Sequence, residues 1–106
     1  MIYELRRYKL EPRNKIYFYE RFEKQFLPIA NRHGLKVVGA WDVNNSSETV
    51  YILAWPDLAT LQSTWEKILA DEEWIQIKKD SKEKFGDLVL QTHSEVLHPT
   101  RYSSLQ

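Results

Sequence analysis

Cysteine is absent from the 106 residues, so disulfide staples and thiolate metal sites are excluded and a cytoplasmic setting is expected. Glycine is nearly absent too. Gly34, Gly39 and Gly86 are the only three, too dispersed for a G-x-G-x-x-G or P-loop cradle, so no nucleotide cofactor is indicated. Neither sign of charge is in excess: 15 basic and 15 acidic residues are interspersed, leaving no field to attract nucleic acid or anionic lipid. Long apolar runs are missing as well. Glu4, Arg6 and Arg7 interrupt the amino end where a secretion signal needs an apolar core, and no later run approaches a membrane span. A soluble protein with neither a nucleic-acid nor a membrane partner is expected. His33, His93 and His98 are scattered without H-x-x-x-H or H-E-x-x-H spacing, so no metal is expected. Ser63 and Ser81 lack a G-x-S-x-G context, which leaves a hydrolase triad without support.

Aromatic residues, by contrast, are plentiful, with four Trp, six Tyr and four Phe in a chain long enough for one core. Large amphipathic rings suit interfaces and ligand pockets as well as cores. The first segment, MIYELRRYKL, reads as a strand with Ile2, Glu4, Arg6 and Tyr8 on one side and Tyr3, Leu5, Arg7 and Lys9 on the other. Neither side is cleanly apolar, so the residues alone leave open which one faces inward.

A helical pattern follows from about Asn14, a potential N-cap, to His33, with Tyr19, Phe22, Phe26, Ile29, Ala30 and His33 as its apolar stripe. Pro28 predicts a kink and Gly34 the stop. Residues 35–43 and 49–55 form a hairpin around Asn44-Asn45-Ser46-Ser47. Asp57 is predicted to cap a helix with stripe Leu58, Leu61, Trp65, Ile68 and Leu69, and Asp71 to recap a continuation ending at Gly86. Residues 88–97 are the last strand, and Pro99 ends it.

The order βαββαβ predicts an α+β, ferredoxin-like domain over residues 1–97, with a four-stranded antiparallel sheet and both helices on one face. Residues 98–106 are read as a tail that could pack on a partner subunit. The third strand offers apolar side chains in both parities: Val50, Ile52 and Ala54 against Tyr51, Leu53 and Trp55. A single chain has no second layer to cover both, and a second copy is the economical answer.

Tyr3-Glu4-Leu5-Arg6 with Tyr8, Leu27-Pro28, His33-Gly34, Gly39 before Trp41, Asp71 with Trp74, and Pro99 with Tyr102-Ser103 resemble NIPSNAP-family proteins of the dimeric α+β barrel superfamily. The resemblance covers nearly the whole chain. It implies a homodimer in which two sheets face each other as a barrel with helices outside, and it implies no defined activity. The chain departs from the family pattern at Tyr51 and Leu53, where His and Trp are frequent, and at Thr60, Leu61 and Gln62, where arginine is.

Glu4 and Arg6, two apart on a central strand with Tyr8 beyond, could bind a polar or anionic group, or form a structural ion pair. Trp55 and Trp65 join them as candidate lining of a ligand site for a small aromatic or acidic molecule between sheet and helices. The alternative is a cofactor-independent monooxygenase-like enzyme using His93, Tyr51 and Trp41, and a third reading is a purely structural or interaction module. His93 is read as mid-strand, on one face with Val89, Gln91 and Glu95.

Overall fold

The computed structural model describes residues 1–106. Strands β1 (Ile2–Leu10), β2 (Lys36–Asp42), β3 (Glu48–Trp55) and β4 (Val89–Leu97) form one antiparallel sheet in the order β2-β3-β1-β4. After a 3-10 turn (Pro12–Asn14), α1 (Lys15–Arg21) passes through a π-helical turn (Phe22–Phe26) into α2 (Leu27–Arg32). Helices α3 (Leu58–Ala70) and α4 (Glu72–Phe85) connect β3 to β4. This is the expected ferredoxin-like arrangement, and its smallest extent, 19 Å, is that of one sheet carrying one layer of helices. No helix is long and apolar enough to cross a membrane.

Local chemistry accounts for most boundaries. Asp57 Oδ1 accepts the Thr60 N–H at 2.7 Å, and Asp71 Oδ1 accepts those of Glu73 and Trp74 at 3.0 and 3.3 Å, so each aspartate satisfies donors that a helix start leaves free. Gly86 ends α4 at φ 79°, a backbone conformation costly for any side chain with a Cβ. Asn14 differs from expectation. Its side chain makes no cap; Nδ2 instead donates to the Phe85 and Asp87 carbonyls at 2.9 and 3.0 Å, tying the start of α1 to the end of α4.

The irregularity expected at Pro28 lies just before it, where the Leu27 N–H bonds the Phe22 carbonyl five residues back. The ladder already changes register there, so the missing Pro28 N–H interrupts no regular run. Phe18, absent from the predicted stripe, is buried in a second, smaller cluster with Leu10 and Leu88, apart from Phe26, Ile29 and Ala30.

Register decides which way each strand faces. Arg6 pairs with Tyr51 and Glu4 with Leu53, and these, with Tyr8 and Trp55, face the helices. Tyr3, Leu5 and Arg7, opposite Ala54, Ile52 and Val50, therefore point to the uncovered face. The main core joins Tyr51, Leu53 and Trp55 to Phe26, Ile29, Ala30, Leu35, Ile68 and Trp74. In β4 an irregularity opposite Lys9 and Leu10 changes the parity, so Val89 turns to the helix side while Gln91, His93 and Glu95 stay on the open side. The predicted single face for these four residues is therefore split by one extra residue.

Residues 98–106 turn back over the open face. Ser103 N–H bonds the Thr100 carbonyl at 3.0 Å, and Tyr3 Oη donates to the Gln106 carbonyl at 3.1 Å. The tail closes a shallow hollow lined by Tyr3, Ile52, Leu97, Pro99 and Leu105.

Candidate functional site

Strand β1 passes through the middle of the sheet, so its inward side chains are enclosed by β3, β4 and the helices above them. Glu4 is the most enclosed charge, and its carboxylate is fully engaged. Trp55 and Trp65 donate their indole N–H groups to Oε1 at 3.1 and 2.8 Å, while Arg6 Nη1 donates to Oε2 at 2.9 Å. A buried ion pair is tolerable only when such additional bonds offset desolvation costing several kcal/mol per ion.

Arg6 carries the chain of contacts outward. Its Nε donates to Tyr8 Oη at 2.9 Å, and Tyr8 Oη lies 2.6 Å from Tyr51 Oη. The guanidinium also lies over the Trp65 ring, 4.4 Å from its centroid. Burial works against the Arg6 charge, but Tyr8, Tyr51 and Glu4 outweigh it and raise the pKa, so the guanidinium is permanently charged. Burial chiefly, with Tyr8 adding to it against the opposing pull of Arg6, holds Tyr51 well above the ordinary phenol value, keeping it protonated at neutral pH.

Glu4, Arg6, Tyr8, Trp55 and Trp65, the five candidate binding residues, thus meet in one hydrogen-bonded network, and Tyr51 joins them. The other two candidates lie elsewhere. His93 sits opposite Arg7 on the open side, exposed and 2.7 Å from Glu95, and Trp41 pairs with Val50 on that same side with its ring against Gly39. The sheet separates both from Tyr51.

Beside the network lies a cavity of about 240 Å³ between sheet and helices. Its walls carry Tyr8, Phe18, Phe22, Phe26, Tyr51, Trp65 and Trp74, together with Arg6, Arg21 and Lys78. Aromatic surface with a few convergent polar groups is the usual makeup of a small-molecule site. Arg21 and Lys78 are not among the candidate binding residues named from the sequence. Lys78 gave a signal as the cation within the Trp74, Ile77, Ser81, Phe85 face of α4, whereas Arg21 reads as an ordinary helix-surface charge until α4 closes over it. Burial lowers the Arg21 pKa, with only Tyr8 acting against it.

Known proteins share this architecture. A NIPSNAP family protein of unknown function from Agrobacterium tumefaciens is 24% identical over 100% of this chain and 94% of its own, with a TM-score of 0.84. An uncharacterized NIPSNAP domain protein from Burkholderia xenovorans is 19% identical over 97% of this chain and 98% of its own, with a TM-score of 0.81. A more distant structure, described as an antibiotic biosynthesis monooxygenase, is 11% identical over 94% of this chain and 99% of its own, with a TM-score of 0.60. Such identities show a common fold and nothing about chemistry. No curated protein matches the chain. The NIPSNAP family model matches residues 3–104, nearly the whole sheet-and-helix unit just described, and the chain belongs to that family.

Proposed function

We propose that the protein is a homodimeric, cytoplasmic binder of a small aromatic or acidic molecule held between sheet and helices. The observation that carries this reading is the ring-lined cavity of about 240 Å³ set against the Glu4, Arg6, Tyr8 and Tyr51 network. The network keeps the β1 side chains fixed before any ligand arrives, which lowers the ordering cost of binding. A thermal-shift panel of small aromatic and acidic metabolites tests it. A ligand at 100 times its Kd adds about 2.7 kcal/mol of stability, and a flat response across the panel would remove the binding reading in favour of a structural module. An oxygenase built on His93, Trp41 and Tyr51 is disfavoured because the sheet stands between the first two and the third.

The dimer is supported by the open face, where Leu5, Val50, Ile52 and the half-exposed Trp41 present apolar surface that no helix of this chain covers. A second copy packing sheet to sheet would cover it, with residues 98–106 at the rim of the contact. Ile52→Lys is expected to convert a dimer to a folded monomer in sedimentation velocity, since Ile52 points away from the helices. A wild-type monomer at micromolar concentration would overturn the dimer.

A further inference from the structure

The cavity is electrostatically lopsided. Of the cations on its wall, Arg6 is matched by Glu4 at 2.9 Å, but neither Arg21 nor Lys78 makes an ion pair. Arg21 is half-buried, its one side-chain hydrogen bond is a 3.5 Å contact from Nη1 to Ser81 Oγ, and it otherwise stacks on rings, 5.2 Å from the Trp74 centroid and 5.9 Å from that of Phe18. Lys78 Nζ approaches the same indole, 5.8 Å from the Trp74 centroid. An enclosed charge with no counter-ion is costly, and an anion in the adjoining space would relieve that cost.

Hydrogen counting points the same way. Tyr8 and Tyr51 carry two O–H hydrogens between them, and the bond joining their oxygens uses one. Arg6 Nε supplies its own hydrogen to Tyr8, so it takes up none. Whichever phenol donates to the other, one O–H is left over, and both phenols line the cavity. That wall therefore offers one neutral donor and two cations, and no carboxylate lines it.

We infer that Arg21, Lys78 and the spare phenolic hydrogen of the Tyr8–Tyr51 pair form the anion end of this cavity, and that its ligand is an aromatic carboxylate of one or two rings. The inference rests on the cavity being the binding site proposed above and specifies what that site selects. A planar carboxylate matches a guanidinium fork in two parallel hydrogen bonds. No glycine lies on the walls to supply the close backbone N–H groups typical of a phosphate cradle. Seven aromatic side chains offer ring faces and edges for the remainder, and a volume below the roughly 300–1,000 Å³ of drug-sized pockets limits it to one or two rings.

Isothermal titration calorimetry of the full chain with 2-naphthoate and its uncharged isostere 2-naphthamide tests the inference. The acid is expected to bind about tenfold more tightly or better, the ratio that one good charge-assisted bond gives. Arg21→Met should bring the two ligands close to equality, and Lys78→Met should cut the preference partway. Arg21→Met should also raise the Tm of the ligand-free protein, because an unmatched enclosed charge is replaced by a thioether of similar length; a fall in Tm would mean that Arg21 serves packing, and the inference would fail. Equal binding of acid and amide by the wild type would overturn the carboxylate assignment while leaving the cavity as a binding site. A preference for the acid that survives both substitutions would overturn the assignment of the anion end. Failure of both compounds to bind would overturn the inference, and the metabolite panel would then decide the broader binding reading separately.

Discussion

Arg6 and Arg7 are neighbours in one strand, yet they live in different solvents. Arg6 points toward the helices, its side chain 19% exposed and 2.9 Å from a Glu4 side chain that is 5% exposed. Arg7 points to the open face, 44% exposed and 3.6 Å from a Glu48 that is 36% exposed. The same pair of residue types is thus a fixed element of the interior in one case and a screened surface contact in the other. The difference comes from what covers each face, since strand alternation gives adjacent residues opposite surroundings.

The sharpest way to break this contrast is to remove one charge on each side. Glu4→Gln keeps the shape and an acceptor for the tryptophans but leaves Arg6 without its counter-charge, and should lower urea-determined stability by about 3–5 kcal/mol. Glu48→Gln should cost about 1 kcal/mol or less after solvent screening. Equal losses would mean that the interior network contributes no more than a surface pair.

Tyr51→Phe sharpens the contrast through pH. Because the folded state holds Tyr51 above its ordinary value of 10.0, the unfolded chain ionises first as pH rises. Stability is therefore complete below pH 10 and falls as the pH climbs from there toward the raised folded value. The phenylalanine variant should start about 1–3 kcal/mol less stable, having left the Tyr8 hydroxyl a partner short, but should lose less stability between pH 9 and 11 in thermal melts.

A modest effect is expected at the helix cover itself. Asp57→Ala removes the cap that holds the first turn of α3, the helix that brings Trp65 to Glu4, and should lower the Tm modestly. The Thr60 backbone N–H holds the Asp57 carboxyl below its ordinary 3.8, so the cap's contribution is present above that pH and lost as pH falls through the lowered value. Below that range wild type and variant should converge.

What could be read from the residues divides along physical lines. Caps and stops at Asp57, Asp71 and Gly86 were legible because the bonds and dihedrals that make them are local. The inward side of β1 was not, because both parities mix apolar and charged residues, and only pairing with Tyr51 and Leu53 resolves them. Glu4, Arg6, Tyr8, Trp55 and Trp65 could be singled out as candidates by charge placement and ring content, whereas their union required a long-range contact between β1 and α3. Arg21 was invisible for a related reason. A cation on a helix reads as solvent-facing, and its enclosure depends on α4, which lies more than fifty residues away in sequence. The split between Val89 and His93 hinges on one extra residue in β4, which simple alternation has no way to register.

Trp41 lies across Gly39 on the open face, so close that a Cβ at residue 39 would sit 2.6 Å from its ring. The other three indoles are on the helix side, Trp55 and Trp74 buried and Trp65 half-buried. Emission from a single copy should consequently resolve into a red-shifted, quencher-accessible contribution from Trp41 and a bluer one from the remaining three, and a second copy seated on the open face should shift the first to the blue and shield it. Acrylamide access to Trp41 is thus an optical readout of whether the outer surface is covered, independent of what occupies the interior.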